Sequence, residues 1–480
     1  MKLSGSYDVD LRVMETLTAG DPTVKYRDFE GAGGRLQCRV WFSDGMTSSQ
    51  LVRDGILQPI LSFGGPAPRE NVLDWLALAV LQLPEVQRSD DTEDLLPALA
   101  YGDALLFAQG QPGALIIGCK AFDYRSITEP DAEKVAKGPK EGFVEPLMPN
   151  IAMLKRRLRT NKLHIDRVTV GSTTQTACCL LSLDGVTDPA LVQDVLERLR
   201  RVEIDGVLSA NTLAELLRDR PFAFFHRLGT TARPDVATAK LLEGRVVLLT
   251  DGSPQALTAP FVFLEYFQSP EDYCVSWVYA VFSRFLRMAA FLIAITLVPI
   301  YVALLHFHPG TLPVKMLMDT AVMQQAAPFS FLVEALILLL AFDLLREAGL
   351  RAPSSIGQTL SIVGALVLGQ SAVEANIVSP AMVIVVALSG VTGLITTELK
   401  DQVIFLRLFL LLCANAAGLW GLVLGLVTIA GRLSVIRSFG ADYLTSMPSV
   451  GQGSHEDSLL RVPMRFMRKY GRFWAGGSRK

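Results

Sequence analysis

The chain has 480 residues, half of them hydrophobic, with a mean hydropathy of +0.35 and a formal net charge of −2. A near-neutral balance with no basic stripe among aromatics argues against nucleic-acid binding, and six cysteines without a C-x-x-C pair fit a reducing compartment. So apolar a chain with 19% charged residues must be split. Up to about Tyr273 it reads as globular, from about Val278 to Ile429 apolar runs dominate, and after Arg432 it is polar and basic.

The N-terminus, MKLSGSYDVDLRVMETL, has no apolar core of signal-peptide length, so the head is expected in the cytoplasm. Residues 1–34 read as a flexible segment ending in Gly31-Ala32-Gly33-Gly34. Residues 35–150 read as a first α/β subdomain. In it Leu36 to Phe42 alternates like a half-buried strand, Ser48 to Ile60 has helical spacing, and Asp103–Ala108 with Ala114–Cys119 forms a hairpin about Gly110 and Gly113. Val144 to Arg159 is helical, with Lys155, Arg156, Arg157 and Arg159 where cations favour a helix C-terminus.

Residues 151–277 read as a second α/β subdomain. Strands are expected at Asp166–Gly171, Thr176–Leu183 and Gly244–Thr250, and an amphipathic helix at Pro189–Val202. Neither a G-x-x-x-x-G-K-[ST] loop nor a G-x-G-x-x-G after a strand occurs. No catalytic, cofactor-binding or metal-ligating residue is assigned, and no enzyme is expected.

Residues 278–431 read as a helical membrane domain and 432–480 as a basic cytoplasmic tail. A span needs about 20 apolar residues. Candidates are Met288–Phe307, Pro328–Leu345, two within Pro353–Val391, and Val403–Ala430. Five full crossings would separate the head from a tail rich in Arg and Lys, against the positive-inside rule. About four transmembrane helices plus one re-entrant or interfacial segment are therefore expected, the odd one being Pro328–Leu345 or half of the Pro353–Val391 hairpin. That hairpin carries Gln358, Gln370, Glu374 and Asn376 at membrane depth, with Gly357, Gly364, Gly369 and Pro380. Two readings stand for it: an inward-facing, pore-lining element, or a packed helix pair with glycine contacts.

Several stretches, in this order and spacing, resemble the GerA-type A subunits of spore germinant receptors. They are Lys140–Glu145, Arg233-Pro234-Asp235, Leu241–Arg245, Asp251–Pro254, Phe267–Tyr273, Leu345–Gly349, Ser361–Gln370, Ala372–Ala375, Val378–Val383 and Arg437–Gly440. Ala232 departs from the family, which has Glu before Arg-Pro-Asp. The resemblance implies a multi-pass protein of the spore's inner membrane that works with a transporter-like B subunit and a lipoprotein C subunit. It implies a homo-oligomer in contact with membrane lipids, which converts germinant binding into ion release. As a conduit, its polar lining would come from Glu374, Gln370, Gln358 and Glu334; as a non-conducting scaffold, flux would pass elsewhere. Glu271, Asp272 and Arg287 are the candidates for head–membrane coupling, against a plain helix-start signal within Phe267–Tyr273. Arg346 and Glu347 are the candidate interfacial ion pair.

Overall fold

The computed structural model describes the chain apart from residues 1, 20, 22, 32–33, 35, 45, 66–67, 69–70, 122–125, 131–132, 219–223, 312–313, 315–317, 319–328, 352–368, 445–460, 462 and 464–480. The described chain is mixed α and β in its N-terminal part and helical in its C-terminal part. It divides into two units, Met1–Arg125 and Ser126–Lys480.

The first unit holds a five-stranded antiparallel sheet in the order β1-β2-β4-β5-β3. Its strands are β1 (Val24–Gly31), β2 (Leu36–Ser43), β3 (Val86–Ser89), β4 (Ala104–Ala108) and β5 (Ala114–Ile117). Side chains alternate between faces along a strand, so Cys38, Val40, Ala104 and Leu106 face the helical segments at 49–62 and 72–80. Trp41, Leu105 and Phe107 face the helices Tyr7–Thr18 and Thr92–Ala100. With both faces covered, β4 and β5 read as apolar throughout. The 1–34 segment, expected to be flexible, contains the Tyr7–Thr18 helix and β1; Leu11 and Met14 of that helix are buried on the sheet. Its polar composition belongs to the exposed side of an amphipathic helix and of an edge strand.

The second unit begins with a sheet domain of the same design. Its strands are β6 (Leu163–Val170), β7 (Thr176–Leu183), β8 (Gly229–Thr231), β9 (Val246–Thr250) and β10 (Ala256–Ala259), in the order β6-β7-β9-β10-β8. Renumbered from one, that is again 1-2-4-5-3, and the helices fall at the same points of the chain. Leu147–Arg157 and Pro234–Leu242 cover one face, Pro189–Arg200 and Ala210–Leu216 the other. A boundary at residue 150 would cut through Leu147–Arg157, whose Ile151 and Leu154 pack on the second sheet.

The helical part follows Trp277. Among the described residues two stretches are long and apolar enough to cross a membrane, Trp277–Phe307 and Thr397–Val435, and Pro380–Gly393 is a shorter apolar helix. The helix Phe331–Arg351 carries Glu334, Asp343, Arg346, Glu347 and Arg351. Gln358 and most of Pro353–Val391 lie outside the described residues.

The helix Lys400–Val435 is not one straight crossing. Ala417 and Gly418 leave helical geometry, Gly418 at φ +61°, a region that favours glycine. The chain folds back there: a Cβ on Gly421 would collide with the Cys413 carbonyl, and one on Gly425 would lie 2.8 Å from the Leu410 side chain. Each arm has about 17 residues, so roughly 25 Å of helix at 1.5 Å per residue. Both ends return to the second sheet domain. Gln402 Nε2 donates to the Phe224 carbonyl (3.4 Å), and Ser438 Oγ donates to that of Arg227 (2.5 Å). At the turn, Phe307 of the first long helix packs against Gly418. The single crossing expected at Val403–Ala430 is thus a helical hairpin, closed by a glycine that hydropathy alone reads as apolar filler.

Candidate head–membrane junction

Where the second sheet domain gives way to the first long helix, the segment Phe261–Phe267 is rich in aromatics and fully buried, and Asp272 is buried just beyond it. Phe261, Phe263, Tyr266 and Phe267 stack edge-on with one another, and Phe263 and Phe267 reach Phe291 of the helix, with centroids 6.1 and 5.6 Å apart. Edge-to-face pairs each add about 0.5–1.5 kcal/mol beyond area burial, so this joint is stiff.

Ser269-Pro270-Glu271-Asp272 starts a short 3-10 turn. Asp272 Oδ2 accepts from the Ser269 backbone N–H at 3.1 Å, the reciprocal cap its spacing predicts. The same carboxylate accepts Arg284 Nε (3.1 Å) and both terminal nitrogens of Arg287 (3.0 and 2.6 Å). The two arginines are three apart on the helix and so share a face. Arg287 also donates to the Phe267 carbonyl at 2.6 Å. Asp272 and Arg284 are 1% exposed. Burial alone would raise the Asp272 carboxyl; the Arg287 guanidinium and the other donors outweigh it and hold it below the usual carboxylate range. Arg461 of the tail donates to the carbonyls of Asp272 and Val275, and its guanidinium lies 5.4 Å from the Tyr273 ring centre.

Of the expected coupling residues, Asp272 and Arg287 are therefore joined and Glu271 stands outside the cluster. Arg284 was not among the residues expected here; it lies 12 residues from Asp272, too far for local patterning to pair them. One carboxylate, that of Asp272, both caps the turn and pairs with the two arginines.

Beside this joint lies a cavity of about 310 Å³. Lys240 Nζ meets Glu265 at 2.7 Å, and Arg245 bridges Glu265 (2.6 Å) and Glu243 (2.9 Å). These contacts explain Leu241–Arg245: Gly244 sits at φ +86°, and any side chain there would lie 2.8 Å from the Val186 carbonyl oxygen. Burial would raise the Glu265 carboxyl, but Arg245 and Lys240 pull it below the usual value. Arg233, fully buried, holds Asp235 in a fork (3.2 and 2.9 Å) and donates to the carbonyls of Glu133 and Pro139. Glu133 accepts from the Ala232 N–H (2.7 Å) and the Thr231 hydroxyl (2.9 Å), so position 232 is served through its backbone. Glu398 reaches the cavity from the turn Thr397–Leu399, ahead of the apolar part of the last hairpin and against the sheet domain.

The other expected site residues lie farther off. Glu334, 3% exposed, accepts the backbone N–H of Ser379, where the helix Pro380–Gly393 begins. A carboxylate is favourable at a helix N-terminus. Glu374 is exposed and accepts Gln370 Nε2 at 2.8 Å, one helical turn away. The expected Arg346–Glu347 pair does not form: Arg346 lies 3.6 Å from Asp343 and Glu347 2.7 Å from Arg351. Adjacent helical residues point about 100° apart, so each pairs one turn away instead. Arg407 of the last hairpin, 3% exposed, joins Asp343 at 2.9 Å. Among the described residues no group of three His, Cys, Asp or Glu could hold a metal ion.

A family model described as Bacillus/Clostridium GerA spore germination protein matches residues 12–473. Spore germination protein KA of Bacillus subtilis (strain 168) is 33% identical over 435 residues, covering 90% of this chain and 80% of that protein. Spore germination protein B1 of the same strain is 31% identical, covering 98% and 97%. The uncharacterized membrane protein YfkQ, also from that strain, is 32% identical, covering 100% and 93%. The crystal structure of the N-terminal domain of the A subunit of the Bacillus megaterium spore germinant receptor GerK3 is similar at 24% identity. It covers 55% of this chain and 98% of its own, but with a TM-score of 0.22 the likeness carries no argument.

Proposed function

The chain belongs to the GerA family of spore germination proteins, and on that premise we propose that it is a membrane subunit of a spore germinant receptor. In this reading its sheet domains and basic tail are cytoplasmic, and its helices span the spore's inner membrane several times. It works there beside a transporter-like B subunit and a lipoprotein C subunit.

The observation that carries the reading is the Asp272–Arg284–Arg287 cluster. It ties the last turn of the sheet domain to the first long apolar helix by buried, charge-assisted bonds. A signal arriving on the sheet domain would move that helix as a unit, since the joint has no loose segment to absorb the motion. The fold-back at Gly418 supports a tail on the same side as the head. Asp272→Asn in spores should abolish germinant-triggered ion release while the protein level stays normal. Normal release would sink the coupling role.

Within this reading the chain either conducts or only transmits. Glu374 and Gln370 are exposed and bonded to each other, as lining groups awaiting assembly would be. Glu334 is sealed against Ser379 and serves packing. Ion efflux from liposomes holding the full receptor should change with Glu374→Gln if the chain is a conduit; identical efflux favours the scaffold.

A further inference from the structure

Beyond Val435 the chain turns at once into a small β-hairpin, Arg437–Ser438 paired antiparallel with Ala441–Asp442. The two residues of its tip, Phe439 and Gly440, stand at φ +46° and +82°. A two-residue turn asks for positive φ at such positions, which glycine takes freely and a bulky aromatic residue only under strain. Phe439 is nevertheless turned away from water. It is 6% exposed and belongs to the core between the second sheet and the helices Pro189–Arg200 and Ala210–Leu216, with the Arg198 guanidinium 4.5 Å from its ring centre. A strained backbone persists only where its surroundings over-determine it, so the buried side chain is what holds the tip in place.

The residues on either side of the tip reach the head–membrane junction. Ser438, fully buried, bridges two segments: its Oγ accepts the Phe261 N–H (3.0 Å) and donates to the Arg227 carbonyl (2.5 Å). Tyr443, 1% exposed, donates its hydroxyl to the His226 carbonyl (2.7 Å), and its own carbonyl accepts the Phe263 N–H (3.0 Å). The Arg437–Asp442 pair across the hairpin, at 3.0 Å, is exposed on both sides and adds little. Phe261 and Phe263 are thus bonded to the hairpin through their backbone. Phe263 and Phe267 stack on Phe291 of the first long helix, and the Phe267 carbonyl receives Arg287. One short segment, Phe261–Phe267, is held both by the beginning of the first long helix and by the chain leaving the last one.

We propose that Arg437-Ser438-Phe439-Gly440 is a docking plug, and that Ser438, Phe439 and Tyr443 are positioning residues that make the end of the last helical hairpin move together with the start of the first long helix. This adds a second tie to the coupling role of the Asp272 cluster, on which it rests. Phe439 supplies the grip, through its place in the core of the second sheet domain. Ser438 supplies the link: without its hydroxyl two backbone groups, the Phe261 N–H and the Arg227 carbonyl, lose the partner that joins them. A motion of the sheet domain then reaches the first long helix and the last hairpin together.

Hydrogen exchange on the purified full-length chain in phospholipid nanodiscs tests this, read on peptides spanning 433–444, 259–268 and 277–290. Ser438→Ala should raise exchange about tenfold or more at 433–444 and 259–268, because it leaves buried backbone groups unmet, and the rise should extend to 277–290. Asp272→Asn should in turn raise exchange at 433–444 about fivefold or more, since coupling between two sites is reciprocal. Tyr443→Phe, which loses one hydroxyl and keeps the ring, should give the Ser438→Ala pattern at smaller amplitude. Phe439→Gly relieves the strained angle yet should still raise exchange at 433–444; a level or lower rate there would overturn the plug. A rise confined to 433–444 in Ser438→Ala and Tyr443→Phe, or none there in Asp272→Asn, would overturn the joint movement. The readout is made without germinant or partner subunits, so the two roles fail separately. Spores in which Asp272→Asn abolishes ion release, with exchange at 433–444 unchanged in that variant, would keep the coupling role of Asp272 and refute the second tie.

Discussion

Replacing Asp272 by Ala would remove the acceptor of four hydrogen bonds: Arg284 Nε, both terminal nitrogens of Arg287, and the Ser269 N–H. The largest consequence falls on Arg284. At 1% exposure it cannot turn to water, and Asp272 is the carboxylate it meets. Breaking a buried pair by removing one partner costs about 3–5 kcal/mol, because the other charge stays buried and uncompensated. That is roughly two to four powers of ten in the local opening equilibrium. Arg287 is half-buried and keeps access to water, so Arg287→Ala should cost less, about 1.5–3 kcal/mol for its charged hydrogen bonds. Arg284→Met combined with Asp272→Ala should recover much of the loss, since no buried charge is then stranded. Hydrogen exchange over 263–290 in the purified chain measures all three. If Asp272→Ala cost no more than Arg287→Ala, or if Arg284→Met brought no recovery, the argument from stranded charge would be wrong.

Three further outcomes follow from the same geometry. Because Asp272 is held below the usual carboxylate range, its contribution to the junction should be complete at neutral pH and lost only as pH falls through that depressed value; an acid titration of protection at 263–273 checks this. Gly244→Ala should destabilise the second sheet domain by about 1–2 kcal/mol, since a side chain at φ +86° is strained and would crowd the Val186 carbonyl; thermal unfolding of the full chain reads it. Glu334→Gln keeps an acceptor for the Ser379 N–H and should cost about 1 kcal/mol or less, whereas Glu334→Leu leaves that donor unmet and should cost about 1–3 kcal/mol. An ion-flux change in Glu334→Gln with normal stability would instead return Glu334 to a conducting role.

Local patterning carried much of the fold. Alternation at Leu36–Phe42, the glycine turn between β4 and β5, and the 3.6-residue apolar spacing of Pro189–Val202 each mark an element that the structure contains. Those signals arise within a few residues, so periodicity and turn chemistry suffice to read them. The Ser269–Asp272 cap is legible for the same reason. The repeated strand order of the two sheets is not legible, because it is defined by pairings between distant strands and by no recurrent motif.

The charge partners needed the tertiary structure. Asp272 is 12 and 15 residues from its arginines, Glu133 is about 100 from Thr231 and Ala232, and Arg407 is 64 from Asp343. The sequence supplies the ions and leaves their pairing open. Composition marked an apolar stretch from Val403 to Ala430, and hydropathy sums residues without regard to direction. The non-helical backbone at Ala417 and Gly418 turned that stretch into two arms, both ending at the second sheet domain. By itself the sequence determined which segments bury apolar surface, because burial follows from side-chain chemistry. Which carboxylate meets which arginine, and that the last helical hairpin ends against the second sheet domain, was decided only in the folded chain, where contacts depend on distances between segments far apart in sequence.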